Sequence, residues 1–154
     1  MLKLTRKSDY GLIAMKHLAE HGRRSSCSAK DLAEHYKLPQ EALAKILQRL
    51  ARAQLVVPQR GLKGGYTLAR EADAISAFEV IQAIEGPLFL TSCQTGPGVC
   101  DQSLHCTIRG PLERVSRTLE EVLSRITISE MARPASSGTP LVHIESLRLS
   151  LIHI

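Results

Sequence analysis

Three of the chain's four cysteines fall within residues 91–110, which read Thr-Ser-Cys93-Gln-Thr-Gly-Pro-Gly-Val-Cys100-Asp-Gln-Ser-Leu-His-Cys106-Thr-Ile-Arg-Gly. The stretch is rich in Gly and Pro and is flanked on both sides by helix-like sequence, so it reads as a loop between helices. Three thiols in one loop point to metal chemistry or to a disulfide. Compartment bears on that choice. The opening Met-Leu-Lys-Leu-Thr-Arg-Lys never develops the apolar core of a secretion signal. No apolar run approaches the ~20 residues that span a bilayer. A cytoplasmic protein with no membrane partner is expected, and there a cysteine cluster more often binds metal or senses redox state than staples a fold.

The rest of the chain supplies the partner. At 154 residues it can bury one core with a helical extension beyond it. A net charge of +5 from 20 basic and 15 acidic residues favours an anionic partner. Aromatics at 3% with no Trp argue against stacking bases of a single strand. No nucleophile–base pair, phosphate loop or catalytic carboxylate pair is evident, so an enzyme is not expected.

A first helix follows Thr5 or Ser8, either of which is placed to cap it, with Asp9 near its positive end. Leu12, Ile13, Met15, Leu18 and Ala19 form its apolar stripe, and Gly22 is its expected stop. Ser28-x-x-Asp31 resembles a capping box for a second helix, and Pro39 opens a third over Gln40 to about Ala53. That third helix sets Leu43, Ile46, Leu47 and Leu50 on one face and Gln40, Glu41, Ala44, Lys45, Gln48 and Arg52 on the other. Short helix, tight turn and a helix with a polar face make the helix-turn-helix pattern, although an ordinary helical hairpin has it too.

The following segment decides between them. Leu55-Val56-Val57 and Tyr66-Thr67-Leu68 are β-prone runs around a basic, glycine-rich turn carrying Arg60 and Lys63. A hairpin there completes a winged helix-turn-helix. Ser76 to Glu85 is a helix stopped by Gly86-Pro87, and Gly110-Pro111 starts a longer one with Leu112, Val115, Leu119, Val122 and Ile126 on a narrow apolar seam. A symmetric copy is the natural cover for such a seam, so a homodimer is expected. The fold class is mainly α with a two-stranded wing and a long C-terminal dimerisation helix. Its parts are a DNA-binding head (1–72), a connecting helix (73–90), the cysteine loop (91–110), the dimerisation helix (111–131) and a flexible tail (132–154).

Six residues separate Cys93 from Cys100 and five separate Cys100 from Cys106. Neither gap fits the tight knuckles of structural zinc sites, nor the close-packed cysteines of bacterial ferredoxins. Wide gaps suit a loop wrapped around an iron–sulfur cluster, while zinc or a thiol–disulfide switch stays open. Three thiolates leave a cluster one ligand short. His105, Asp9 from a second subunit, solvent or a small molecule are the candidates for the fourth place. Cys27, at a helix start, reads as a small buried residue.

Taken jointly, Leu4-Thr-Arg-Lys-Ser-Asp9-Tyr10-Gly-Leu, Leu50-Ala-Arg-Ala-Gln-Leu-Val, Arg60-Gly-Leu-Lys-Gly-Gly-Tyr66-Thr-Leu and the three-cysteine loop resemble the IscR/NsrR-type iron–sulfur transcription regulators, the Rrf2 family, over roughly residues 1–131. The resemblance implies a homodimeric regulator of double-stranded DNA whose cluster, [2Fe–2S] or [4Fe–4S], is bound by Cys93, Cys100 and Cys106. It implies recognition-helix contacts at Gln40, Glu41, Ala44, Lys45 and Gln48, with Arg60 in the minor groove. Asp9 matches the aspartate that supplies the fourth ligand in the nitric-oxide-sensing branch. The branch that controls cluster assembly uses a histidine three residues after the last cysteine, and here that position is Arg109. The signal is therefore expected to be nitric oxide, redox state or cluster status. A cluster-carrying electron-transfer or assembly protein without a DNA role is the rival reading.

Overall fold

The computed structural model describes residues 4–21, 25–91, 95–96, 100–102 and 105–134. Helices α1 (Arg6–His21), α2 (Ala29–Tyr36) and α3 (Gln40–Arg52) are followed by strands β1 (Val56–Gln59) and β2 (Gly65–Leu68). A 3₁₀ turn at Ala72–Ala74 leads into α4 (Ala77–Glu85), and α5 (Arg109–Arg125) and α6 (Ile128–Ala132) complete the order. This is the expected winged helix-turn-helix, mainly helical with one antiparallel pair. No helix among the described residues is long and apolar enough to cross a membrane.

The core forms where α1 packs against α3, α4 and α6. Met15, Leu18, Leu43, Leu47, Leu50, Val80 and Ile128 are all buried there. Gly11 lets α4 come close, since a Cβ at that position would lie 2.1 Å from Cδ1 of Ile84. The two hydroxyls expected to cap α1 do something else. Thr5 Oγ1 and Ser8 Oγ both donate to the Glu85 carboxylate of α4, the latter at 2.7 Å. The carboxylate thereby meets the positive end of α1 from another helix. The expected stop at Gly22 lies outside the described residues.

α2 begins on the expected capping box. Asp31 N–H donates to Ser28 Oγ at 3.1 Å, while Ser28 N–H donates to Asp31 Oδ2 at 2.9 Å. Lys37, with φ 56° and ψ 43°, turns the chain sharply, and Pro39 with φ −65° leads into α3. In the wing, Val56 pairs with Leu68, Val57 with Thr67, Pro58 with Tyr66 and Gln59 with Gly65. Tyr66 spends its N–H and carbonyl on Cys27, at 2.9 and 3.1 Å, so Pro58 opposite it owes no ladder bond. Gly65 is required by this third backbone: a Cβ would lie 2.6 Å from the Cys27 carbonyl carbon.

The long helix expected over 111–131 is two helices. α5 ends at Arg125, and Thr127 caps α6 by accepting from Glu130 N–H at 3.1 Å. Ile126, assigned to the apolar seam, is instead extended, and its carbonyl accepts from Ala77 N–H at 2.8 Å. Ile128 N–H donates to Ile75 O at 2.9 Å, which returns the chain to the head. Most of the expected tail, residues 135–154, lies outside the described residues.

Between α1 and α2 sits a ring cluster absent from the sequence-based expectations. His17 stacks on His21 with centroids 4.0 Å apart and meets His35 edge-on at 5.3 Å, while its Nδ1 lies 3.0 Å from the Tyr36 hydroxyl. Burial, then the charges of His21 and His35, hold the His17 pKa below its ordinary 6.5, against the weaker pull of Glu20 and Asp31. The unfolded chain therefore takes up a proton that the folded chain resists, so this contribution to stability is complete above the ordinary value and is lost as pH falls through it. The melting temperature is expected to drop between about pH 7.5 and about pH 5.5. His17→Gln should flatten the drop in that window, as followed by circular dichroism.

Candidate nucleic-acid interface and thiol site

α3 presents the polar face that its spacing predicts. Gln40, Glu41, Lys45 and Gln48 are exposed and Ala44 is half-buried, while Leu43, Ile46, Leu47 and Leu50 are buried beneath them. All five polar-face residues lie within about three turns of helix, a span that fits the major groove. A cleft of about 360 Å³ flanks this helix, lined by Lys7 of α1 and by Glu41, Lys45 and Arg49 of α3. Arg49 donates through Nη1 to Ile84 O of α4 at 2.7 Å. Sequence reasoning missed that contact, because an arginine on an otherwise polar helix gives no sign of its partner.

The wing tip carries Arg60 and Lys63, both exposed, with Leu62 fully exposed between them. Gly61 has φ 127°, a conformation that a side chain resists. The loop is tied down where Gly64 N–H donates to Gly61 O at 3.0 Å and Ser26 Oγ donates to Lys63 O at 2.8 Å. The tip is therefore fastened to the short segment ahead of α2.

Of the expected cluster ligands, Cys93 lies outside the described residues. Cys100 and Cys106 are half-buried free thiols. Cys106 stands two residues before Ile108, the N-cap of α5, which makes no side-chain cap and has no acid in its first turn. That helix end offers N–H groups and a positive dipole without an anion of its own. Asp9 is exposed on the first turn of α1. Among the described residues, no three His, Cys, Asp or Glu side chains gather into a metal site, so Asp9 does not meet Cys100 and Cys106 within one chain. His105 is exposed. Cys27 is buried, as expected, and its burial pushes the thiol pKa up.

On α5, Ser116 is the one residue buried by its own chain, whereas Val115 is 47% and Ile108 55% exposed. Leu112, Leu119 and Val122 are half-buried beside them. Phe89, at 44% exposure, adds apolar surface just beyond α4.

The family model named Rrf2, described as an iron-dependent transcriptional regulator, matches residues 4–134. The chain is 32% identical over 130 residues to the HTH-type transcriptional regulator IscR of Vibrio vulnificus, covering 84% of this chain and 77% of that one. It is similar to the solved structure of CymR (YrzC), the global cysteine regulator of B. subtilis, with a TM-score of 0.69 and 30% identity over 86% of this chain and 97% of that one. It is similar also to T. potens IscR, with a TM-score of 0.65 and 33% identity over 90% and 94% of the two chains.

Proposed function

The chain belongs to the Rrf2 family of DNA-binding transcriptional regulators, and from that premise we propose a homodimer whose grip on its operator is set by an iron–sulfur cluster on Cys93, Cys100 and Cys106. One arrangement carries the reading: the thiol-bearing stretch joins the end of α4, the connecting helix packed on α1 and α3 of the head, to the uncapped N-terminus of α5. The donors suit such a group. Two half-buried free thiols and an anion-seeking helix end match a thiolate-bound, negatively charged cluster. Asp9 of a second copy is the fourth donor. When bound, the cluster supplies reversible redox and ligand-exchange chemistry at iron, which answers to nitric oxide, redox state or cluster supply.

The protein's own residues do the rest. Gln48 and Lys45 offer hydrogen bonds to base edges from α3, with Gln40, Glu41 and Ala44 along the same face. Arg60 enters the minor groove and Lys63 neutralises phosphate beside it. The open seam of Leu112, Val115, Leu119 and Val122 on α5 pairs with its copy, which spaces the two reading helices by about one helical turn of DNA, roughly 34–36 Å, or a multiple of it.

Three outcomes are expected. Arg60→Ala weakens binding mainly at AT-rich minor-groove sequence in a fluorescence-anisotropy series, and a uniform loss across sequences reduces Arg60 to a phosphate contact. Val115→Asp places a charge in the seam and weakens dimerisation by about tenfold or more, read by sedimentation equilibrium. Anaerobically purified protein shows a broad band in the visible blue with stoichiometric iron and acid-labile sulfide, and Cys106→Ser lowers both. Band shape and iron count separate [2Fe–2S] from [4Fe–4S]. A colourless chain carrying zinc, or one whose thiols only cycle to a disulfide, overturns the cluster.

A further inference from the structure

Three consecutive residues at the end of α4 gather contacts from the helices that matter most. The Ile84 carbonyl is one of the last four of α4, which have no partner within the helix. Arg49 of the reading helix supplies that partner at 2.7 Å, and a cation is favoured at this end of a helix. Glu85 is a carboxylate at the end of α4 that disfavours it, yet it accepts from Ser8 Oγ at 2.7 Å and from Thr5 Oγ1 at the end of α1 that favours an anion. The Ile84 side chain fills the space left by Gly11 of α1 and is buried at 4% exposure. Gly86, with φ 84° and ψ −160°, then turns the chain out toward the cysteines.

Each helix end is thus completed by a neighbour: Arg49 of α3 caps α4, and Glu85 of α4 serves α1. We propose that residues 84–86 are the joint through which the state of the thiol loop reaches the DNA-reading surface, with Arg49 and Glu85 as its positioning residues. A rotation of α4's last turn redirects the Ile84 carbonyl and the Glu85 carboxylate together. The first shifts α3 through Arg49, and the second shifts the start of α1, which carries Lys7 and Asp9. The inference rests on the cluster reading for the identity of the signal, whereas the joint belongs to the chain in any state.

The test uses the full chain, cluster-loaded and metal-free, on a DNA duplex selected by the wild-type protein from random sequence. The wild-type affinities of the two forms are expected to differ by a factor within about 5–150. Arg49→Ala and Glu85→Ala each bring that ratio to within about twofold while iron and sulfide content stay at the wild-type level. Glu85→Gln, whose amide oxygen still accepts from Ser8 and Thr5, keeps the wild-type ratio. A merely structural role lowers both affinities together and leaves the ratio unchanged. A wild-type ratio near one, or variant ratios equal to the wild-type ratio, overturns the proposal. Hydrogen exchange on the metal-free chain reads the joint independently: Arg49→Ala should speed exchange across α3 and leave β1 and β2 unchanged, and equal exchange in α3 overturns the joint. Should wild-type protein carry no iron, the cluster reading fails and the exchange result alone decides the joint.

Discussion

The burial of α1 on three sides is the constraint from which the rest follows. Met15 and Leu18 vanish from solvent against α3, α4 and α6, each contributing about 1.5–3 kcal/mol of apolar burial. Small residues make the close approaches possible, Gly11 beside Ile84 and Ile46, and Ala14 in the buried face. Because α3, α4 and α6 share one buried neighbour, their relative placement is a property of α1 as much as of their own contacts. A bulky side chain at Gly11 would have to displace Ile84, and with it the end of α4.

A second dependency runs through residues 26–28. Ser26 anchors the wing loop at Lys63, Cys27 pairs with Tyr66 of β2, and Ser28 caps α2 through Asp31. The hydrogen bonds from Ser28 hold the Asp31 pKa below the usual carboxylate range. Three residues thereby tie the wing to the start of α2, which in turn packs against α3. The glycine at 65 is the condition for it, since no side chain fits between β2 and the Cys27 backbone.

Much of this was legible in the sequence because its signals are local. Pro39, the buried spacing of Leu43, Ile46, Leu47 and Leu50, the Ser28–Asp31 box and the glycine-rich turn each act within a few residues. What escaped depends on partners distant in sequence. Arg49 and Glu85 look like solvated charges until the chain folds, and Thr5 and Ser8 look like caps for their own helix. α6 is five residues long, too short for an apolar period to register, although its Thr127–Glu130 box stood in plain sight. Ile126 continues the seam by spacing, yet the competing cap one residue later ends the helix before it. The ligand set of the thiol loop is legible as chemistry but not as geometry, because Cys93 lies outside the described residues and, among the described ones, Asp9, Cys100 and Cys106 do not gather within one chain.

The return of the chain after α5 has a mechanical consequence. Ser76 pairs with Thr127, and Ala77 and Ile128 bond across to Ile126 and Ile75, so the C-terminal end of α5 is fastened to the head. Its other end is reached through the thiol loop. Seventeen residues of α-helix make a rod of about 25 Å. A displacement of about 1 Å at the thiol end then appears as a tilt of about 2° around the fastened end. Because α5 also packs against α4, the angle at which it leaves the head is set by that contact together with the fastened end.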